Sequence, residues 1–261
     1  MTDFYADTLK RLLQKNLVHQ RMKVLAVCGG EKDKKALEQT GFHDVTISNL
    51  DVRMKGKEFA PFAWSLQDAE NLAFKDGEFD FCIIHDGLHH CQSPPRALTE
   101  PYRVAKNGLL VFEPRDSLSS RLARILNFAQ DYEVSGISWN DYSFGGVKNT
   151  EIPNFVYRWT EQEVKKTIAS FAPWGHHRFL FFYCLRIPWM RLRALKNKFW
   201  LAAAIAGFPF LKLLTLIFPR QCNNFAFAVF KPEVPRDLQP WIEFREDTPR
   251  IKKTWFQARY R

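Results

Sequence analysis

Short apolar runs alternate with amphipathic segments along the first two thirds of the chain. The apolar runs predict strands at residues 23–27, 45–48, 79–84 and 109–113. Apolar residues at helical spacing predict intervening helices at positions 34–39 and 95–104, after an opening helix with Tyr5, Leu9 and Leu12. This alternation favours right-handed crossovers and an α/β, doubly wound, mainly parallel sheet with helices on both faces. Ligands of such sheets bind beyond the carboxyl ends of the strands.

Two late apolar runs, at residues 179–185 and 225–230, predict the last hairpin of the sheet. Thr160 and Glu163 form a capping-box pattern that predicts the start of a helix before this hairpin. The connection between the two runs is far longer than a hairpin needs, so we expect it to have its own structure. We therefore divide the chain into a core at 1–185, a helical insert at 186–224, the last core strand at 225–234 and a tail at 235–261. The tail is expected to pack partly on the body and to fray at its end.

The composition is that of an ordinary globular protein, with 46% hydrophobic and 25% charged residues. The formal net charge of +10 comes from one region, because residues 164–232 hold eleven Lys and Arg and no Asp or Glu. The five cysteines form no CxxC pair, so we expect neither a disulfide framework nor a bound metal. Asp3 and Asp7 interrupt the apolar N-terminal segment, unlike in a signal peptide, which predicts a cytoplasmic protein.

Four motifs follow one another at the ends of the predicted strands. They are VLAVCGG at 24–30, VTISNLD at 45–51, QDAENLAF at 67–74 and FDFCIIHDGLHH at 79–90. Together with RALTEPYRVAKNGLLVFEP at 96–114, this series resembles class I S-adenosylmethionine-dependent methyltransferases of the type 11 group, over residues 22–116. The resemblance implies a Rossmann-like, seven-stranded sheet and S-adenosylmethionine as the cofactor. A single glycine turn is weak evidence, but four motifs in register are specific.

The first two motifs imply contacts to the cofactor. Gly29 and Gly30 would let the backbone approach the methionyl carboxylate where a Cβ atom would collide. Asp51 lies just beyond the second strand, where a carboxylate can accept hydrogen bonds from both ribose hydroxyls. Asn49 can contact the ribose as well. The competing interpretation is that both polar residues are turn or cap residues.

The later motifs imply the remaining site residues. Asp68 and Ala69 resemble the pair that contacts adenine, in which a carboxylate accepts the exocyclic amine and a small residue leaves room for the ring. The competing interpretation of Asp68 is a solvated loop acid. His85 ends a strand at the ligand edge and is expected to line the pocket. His89 or His90 can act as a general base near neutral pH, but structural histidines are commoner, so no catalytic residue is assigned.

Some positions depart from the family pattern. Ala26 stands where an acidic residue is usual, and Cys28 and Lys32 replace two customary glycines. These departures motivate an alternative function, a non-catalytic membrane-surface or partner-binding module on a degenerate methyltransferase scaffold. A nicotinamide-dependent dehydrogenase would need GxGxxG where the chain has CGGEKD. Glu113 and Arg115 end a strand, where they either contact the substrate or pair with each other as a surface salt bridge, and the salt bridge is the favoured interpretation.

The insert is both basic and apolar. Residues 199–218 are long and hydrophobic enough to span a membrane, but Lys212 and the Gly-Phe-Pro sequence at 207–209 predict two short helices on a surface. Cations around an apolar face are typical of an interfacial helix, so an anionic membrane surface is one expected partner and a lid packed on the core is the other interpretation. Nucleic acid is not expected, since no RNA-binding motif is present. The leading hypothesis is a methyltransferase that acts on a small-molecule or lipid-linked acceptor, at oxygen.

Overall fold

The computed structural model describes residues 3–187, 189–194, 196–246 and 248–260. The strands are β1 (Val24–Val27), β2 (Val45–Asn49), β3 (Ala63–Leu66), β4 (Phe79–His85), β5 (Ala105–Pro114), β6 (Arg178–Cys184), β7 (Asn224–Phe230), β8 (Ile242–Arg245) and β9 (Thr248–Ile251). The helices are α1 (Phe4–Gln14), α2 (Glu31–Gln39), α3 (Pro94–Val104), α4 (Leu118–Ile125), α5 (Val134–Trp139), α6 (Glu161–Phe171), α7 (Trp189–Ala194), α8 (Phe199–Ile217) and α9 (Lys253–Tyr260).

Seven strands form one sheet in the order β3-β2-β1-β4-β5-β7-β6. Strands β1 to β5 are parallel, whereas β7 runs antiparallel to both β5 and β6. The doubly wound, Rossmann-like sheet with a helical insert before its last strand is therefore confirmed. The apolar pattern did not locate β3, because this short edge strand is exposed or half-buried at every position and leaves no run of buried residues.

Helices cover both faces of the sheet, and each face has its own apolar core. On one face, α3 and α6 contribute Leu98, Tyr102 and Ile168 to a cluster with the odd-numbered side of β1. On the other face, α1 and α2 contribute Leu9 and Leu37. All four residues of β1 are buried. This burial on both sides explains why the central strands are continuous apolar runs in the sequence.

The insert differs from the sequence prediction, because α8 continues through the Gly-Phe-Pro sequence as a single helix. The prediction of two short helical pieces is therefore wrong. Pro209 lies in its interior, where a proline removes one backbone donor and disfavours the helix without always ending it. The apolar residues before and after Pro209 favour one continuous helix over two separate ones. Among the described residues, α8 is the one helix long and apolar enough to cross a membrane.

The C-terminal tail is more ordered than its sequence suggested. Strands β8 and β9 pair as a two-stranded antiparallel sheet, and α9 follows them. The tail contacts the core where Gly175 bridges Leu238 and where the ring of Trp174 meets that of Phe244 at 5.5 Å. The expectation that the tail packs partly on the body is met, and the short hairpin is the feature that the pattern missed.

Gly108 lets β5 and β7 pair at their closest approach. Its φ is +153°, and a Cβ atom there would lie 2.1 Å from the carbonyl oxygen of Val229. That oxygen belongs to the sheet backbone, so it cannot move aside without breaking the ladder between β5 and β7. A glycine is therefore required at this position for a physical reason independent of any ligand.

We predict that Gly108→Ala lowers the free energy of unfolding by about 2 kcal/mol or more, through this clash and the unfavourable backbone angle. Gly136→Ala is the matched control, because a Cβ atom there has nothing within 4 Å among the described residues. It lies in a helix, where alanine is favoured over glycine by roughly 0.5–1 kcal/mol. Urea unfolding of the three proteins checks both values, and equal stability of Gly108→Ala and wild type would contradict the clash.

Candidate active site

A cavity of about 290 Å³ lies at the carboxyl edge of the parallel strands. The segments that follow β1, β2, β3 and β4 form its floor, and residues 140–149 form its opposite wall. We call residues 140–149 the covering loop, because they lie over the cavity floor. Of the residues predicted to bind the cofactor, four line this cavity: Asn49, Asp51, Asp68 and Ala69.

The first glycine turn packs tightly on the sheet. A Cβ atom at Gly29 would lie 2.9 Å from Cγ2 of Ile47, so this glycine is needed for the close approach of turn and strand. A Cβ atom at Gly30 would meet nothing within 4 Å in the described part of the chain. The Gly30 N–H donates to the Asp33 carboxylate at 2.9 Å, and burial raises the pKa of Asp33 to about 6. Neither glycine lines the cavity, although their neighbour Cys28 does.

Cys28 shows how the altered motif keeps the turn. Its φ is +54°, a left-handed conformation that glycine adopts most easily. The following turn makes room for the side chain, because a Cβ atom at Gly87 would lie 2.5 Å from Cβ of Cys28. The side chain of Cys28, at a position where the family usually has glycine, is thus accommodated by a glycine in the turn that packs against it.

Asn49 and Asp51 are held by hydrogen bonds at the end of β2. The Asn49 side-chain amide donates to the carbonyl of Gly29 at 3.0 Å, and its oxygen accepts from the Asp51 N–H at 3.1 Å. The Arg53 guanidinium forms an ion pair with Asp51 and lies 3.0 Å from the centre of the Phe144 ring. Arg53 lowers the pKa of Asp51, which keeps this carboxylate ionised. The sequence analysis did not identify Arg53.

Asp68 and Ala69 lie on the neighbouring part of the cavity wall. Lys148 from the covering loop forms ion pairs with Asp68 at 3.2 Å and with Glu70 at 3.6 Å. Ala69 is buried. The Glu70 carboxylate accepts hydrogen bonds from two backbone N–H groups directly before α3, and these bonds anchor the segment that follows β3. Asp68 is therefore a paired acid at the cavity and not a freely solvated one.

His85 lies outside the cavity, unlike the other predicted polar residues. Its ring stacks on Tyr5 of α1 with centroids 4.9 Å apart, and its Nε2 atom is 2.9 Å from Nζ of Lys32. Burial lowers the pKa of His85 to about 4, so the ring is uncharged at neutral pH. The structure thus places this side chain against the opening helix, and contact with a cofactor at this position stays a prediction.

Glu113 is fully buried at the end of β5 and holds the turn that follows β4. It accepts the N–H of Leu88 at 2.7 Å and lies 2.6 Å from Nδ1 of His89. Burial disfavours a charged His89, but the charge of Glu113 and the hydrogen bond raise its pKa to about 9. The predicted pairing of Glu113 with Arg115 is wrong, since Arg115 pairs with Glu161 at 2.8 Å. Arg115 lies beyond the end of β5, and its partner Glu161 is 46 positions away in the chain, so residue spacing could not predict this pair.

His90 lines the cavity next to this buried pair. Burial and the nearby charge of His89 lower the pKa of His90 to about 4, so its ring is uncharged at neutral pH. Its Nε2 atom lies 3.3 Å from a Glu133 oxygen. His89, His90 and Glu133 bring ligand atoms within 4.8 Å of one another, a donor set able to hold a metal. The raised pKa of His89 favours a proton there instead.

Asp86 joins the cavity to the insert. Its carboxylate lines the cavity and pairs with Arg186, the first residue of the insert, at 2.7 Å. Burial opposes the charge of Asp86, but His85 and Arg186 lower its pKa to about 2. Around Asp86 and His90, the cavity therefore presents an ionised carboxylate and an uncharged imidazole.

The fold and the motif order are similar to those of class I S-adenosylmethionine-dependent methyltransferases. Residues 25–112 match the family described as the methyltransferase domain, which confirms the class and S-adenosylmethionine as its cofactor. The chain is 34% identical over 103 residues to 2-methoxy-6-polyprenyl-1,4-benzoquinol methylase of Rattus norvegicus, covering 36% of this chain and 32% of that protein. It is 34% identical over 113 residues to the ubiquinone/menaquinone biosynthesis C-methyltransferase of a Ruegeria species, covering 37% and 45%. The chain thus spans less than half the length of these relatives.

Solved structures agree on the fold. The YcgJ protein of Bacillus subtilis is 12% identical, with a TM-score of 0.51 over 87% of this chain and 99% of that one. Magnesium protoporphyrin IX methyltransferase of Synechocystis, solved with bound SAH, is 13% identical, with a TM-score of 0.50 over 88% and 89%. At such identities the likeness concerns the fold alone.

The raised pKa of His89 makes the stability of the protein depend on pH. The folded state holds the His89 proton more tightly than the unfolded state, so the stabilisation is complete below the unfolded pKa of about 6.5 and is lost as the pH rises through about 9. We predict that, from pH 7 to 9.5, wild type loses about 2 kcal/mol more unfolding free energy than Glu113→Gln. Urea unfolding at both pH values measures this difference. Parallel losses in the two proteins would show that His89 is not protonated.

Proposed function

We propose that this protein transfers a methyl group from S-adenosylmethionine to a small-molecule or lipid-linked acceptor, at an oxygen atom. The observation that carries the proposal is one cavity that gathers the predicted ribose and adenine residues at one end and Asp86 and His90 at the other. A sulfonium methyl group is already activated when bound, so the protein chiefly has to align it with the acceptor.

The cofactor end of the cavity has the required donors and acceptors. Asp51 would accept the ribose hydroxyls, Asp68 the adenine amine, and Ala69 leaves room for the ring. Arg53 and Lys148 now pair with the two carboxylates and would have to give way. Both pairs are partly exposed to solvent, and such pairs contribute only about 0–1 kcal/mol, so the exchange costs little.

The acceptor end suits removal of a proton from a hydroxyl. The imidazole of His90 is uncharged at neutral pH and can accept a proton. His89 already carries an extra proton, because Glu113 raises its pKa. This difference in protonation favours His90 over His89 as the base, a choice that the sequence left open. Asp86 stays ionised and can accept a hydrogen bond from the acceptor. Transfer to carbon is the competing outcome, since one relative is named a C-methyltransferase.

A lipid-linked acceptor is favoured by the neighbourhood of the cavity. One relative is named for a polyprenyl benzoquinol, which is a lipid-linked small molecule. In this chain, the Asp86–Arg186 ion pair connects the cavity directly to the basic, apolar insert. We extend the proposal to a cytoplasmic protein that associates peripherally with an anionic membrane.

The alternative is a non-catalytic module on a degenerate scaffold. The altered first motif, with Ala26 and Cys28, and the carboxylates occupied by Arg53 and Lys148 favour this possibility. Calorimetry with S-adenosylmethionine and its demethylated product separates the two, because a degenerate scaffold would bind neither.

We predict that Asp51→Ala weakens cofactor binding about 10-fold or more, because it removes hydrogen bonds to the ribose. Asp44→Ala is the matched control, since Asp44 is an exposed acid on the approach to the same strand. Isothermal titration calorimetry compares the three proteins. Wild-type affinity in Asp51→Ala would remove this residue from the site.

We predict that Gly30→Val abolishes cofactor binding while the protein stays folded. The extended backbone of Gly30 and the open space around its Cβ position accommodate a side chain in the free protein. The same side chain would occupy the space expected for the methionyl group. Circular dichroism checks the fold and calorimetry the binding. Normal binding by this variant would show that the methionyl group lies elsewhere.

We predict that His90→Gln lowers kcat about 10- to 100-fold with cofactor affinity unchanged, since general-base catalysis typically contributes about that much or more. His43→Gln is the control, because His43 is exposed and distant in the fold from the cavity lining. A screen of cell extracts with labelled cofactor supplies the acceptor, and mass spectrometry of the product identifies the methylated atom. A C-methylated product, or full activity of His90→Gln, would contradict transfer to oxygen with His90 as base.

A further inference from the structure

Helix α8 presents its apolar side outward. Its inner face packs on the protein through half-buried or buried residues such as Trp200, Phe208 and Thr215. The outer face is also apolar, with Phe210 73% and Leu216 77% exposed. Only 6% of the most apolar 18-residue stretch of this helix is buried within the protein. A helix on the surface of a soluble domain normally exposes polar residues, so this face calls for a partner.

Helix α4 repeats this inverted pattern. Leu118, Leu122 and Ile125 recur at helical spacing and are 70%, 55% and 77% exposed. The buried residue of this helix is the polar Ser120. Its apolar stripe therefore also faces away from the core.

The two helices are connected near both of their ends and run in opposite directions. At the start of α4, the Ser119 N–H donates to the Gln221 side chain, just after the end of α8. Beyond the end of α4, the Phe128 ring meets that of Trp200, at the start of α8, with centroids 5.0 Å apart. The two exposed apolar faces thus belong to one surface.

This surface lies at the same edge of the sheet as the cavity. Strand β5 ends at Pro114 and leads into α4, and Pro114 pairs with Asn224, the first residue of β7 after α8. Strand β6 ends beside the same residue, where Cys184 pairs with Asn224. Both helices therefore leave from and return to the carboxyl edge, which is where the cofactor residues lie.

We propose that α4 and α8 form a membrane-docking surface that lies in the headgroup and acyl boundary of an anionic bilayer. Charge complementarity supports this occupant, because the region from 164 to 232 has no acidic residue and its exposed cations flank the apolar face. Exposed cations of the insert include Arg193, Lys196, Lys212 and Arg220. Anionic headgroups would meet these cations while the apolar side chains reach the acyl chains.

The geometry argues for docking in the plane of the membrane and against a span. Both ends of α8 are tied to the protein, through Trp200 at its start and Gln221 after its end. Helix α7 also packs on its middle, where the rings of Trp189 and Phe208 are 5.6 Å apart. A helix that crosses a bilayer would have to carry one of these attachments to the other side. Lys212 on the exposed face, near one end of the apolar patch, can extend to the headgroups.

Docking through this surface orients the cavity toward the bilayer. The Asp86–Arg186 pair lies between the cavity and the insert, so an acceptor with a lipid tail could present its head group without leaving the membrane. This consequence rests on the proposed function, whereas the docking itself does not depend on catalysis.

The test is co-sedimentation of the full chain with phosphatidylcholine vesicles, with and without phosphatidylglycerol. We expect wild type to bind the acidic vesicles at low salt and to be partly released by high salt. Two variants place charges on the apolar faces, Phe210→Glu with Leu213→Glu on α8 and Leu122→Glu on α4. Each should weaken binding about 10-fold or more. Ile251→Glu is the matched control, as an exposed apolar residue on the β8–β9 hairpin, and should bind like wild type.

Four results would overturn the proposal. These are no binding of wild type to acidic vesicles, wild-type binding by Leu122→Glu, resistance of the bound protein to alkaline extraction, and a lipid-free dimer that Phe210→Glu dissociates. Resistance to extraction would indicate a span, and the dimer would indicate that a second copy covers the face. Calorimetry with S-adenosylmethionine on the same proteins keeps the proposals apart. If wild type binds the cofactor but not the acidic vesicles, the docking surface alone is refuted. If wild type binds the vesicles but not the cofactor, the proposed function alone is refuted.

Discussion

The carboxylate of Glu113 holds the end of β5 to the turn after β4, which carries Asp86 and His90 to the cavity. It lies fully buried at the end of β5 and takes hydrogen bonds from the backbone of Leu88 and the ring of His89. A buried carboxylate without partners would be strongly destabilising, so this arrangement leaves the turn after β4 little freedom. His90 and Asp86 reach the cavity because that turn is held in place.

Ion pairs govern the opposite end of the cavity. Arg53 lowers the pKa of Asp51, and Lys148 pairs with Asp68 and so ties the covering loop to the cavity floor. These contacts are solvent-accessible, so they can hold the loop over the site without the permanence of the buried Glu113–His89 pair. The cavity thus combines one rigid wall, set by a buried charge pair, with one wall held by weak and replaceable contacts.

The antiparallel end of the sheet determines where the insert lies. Because β6 runs in the same direction as β5 and β7 runs opposite to both, the chain between β6 and β7 leaves and re-enters the sheet at the ligand edge. An apolar and basic segment placed at the other edge would have no relation to the cavity. Here it continues into the Arg186 contact with Asp86 and lies beside the outward-facing stripe of α4.

Much of this protein could be predicted from local sequence patterns. Apolar runs and glycine turns identified the parallel sheet, and motif spacing identified Asp51 and Asp68, because both depend on residues close together in the chain. The partner of Glu113 could not be predicted, since His89 lies 24 positions away and only the register of β4 against β5 brings them together. The contact of Lys148 with Asp68 and that of His85 with α1 could not be predicted either, because each joins residues that are far apart in the chain. Pro209 predicted a break by its local chemistry, yet the helix continues through it. Local propensity determines which segments form strands and helices, whereas the tertiary structure alone decides which charged groups are buried, and therefore which histidine carries a proton and which remains a base.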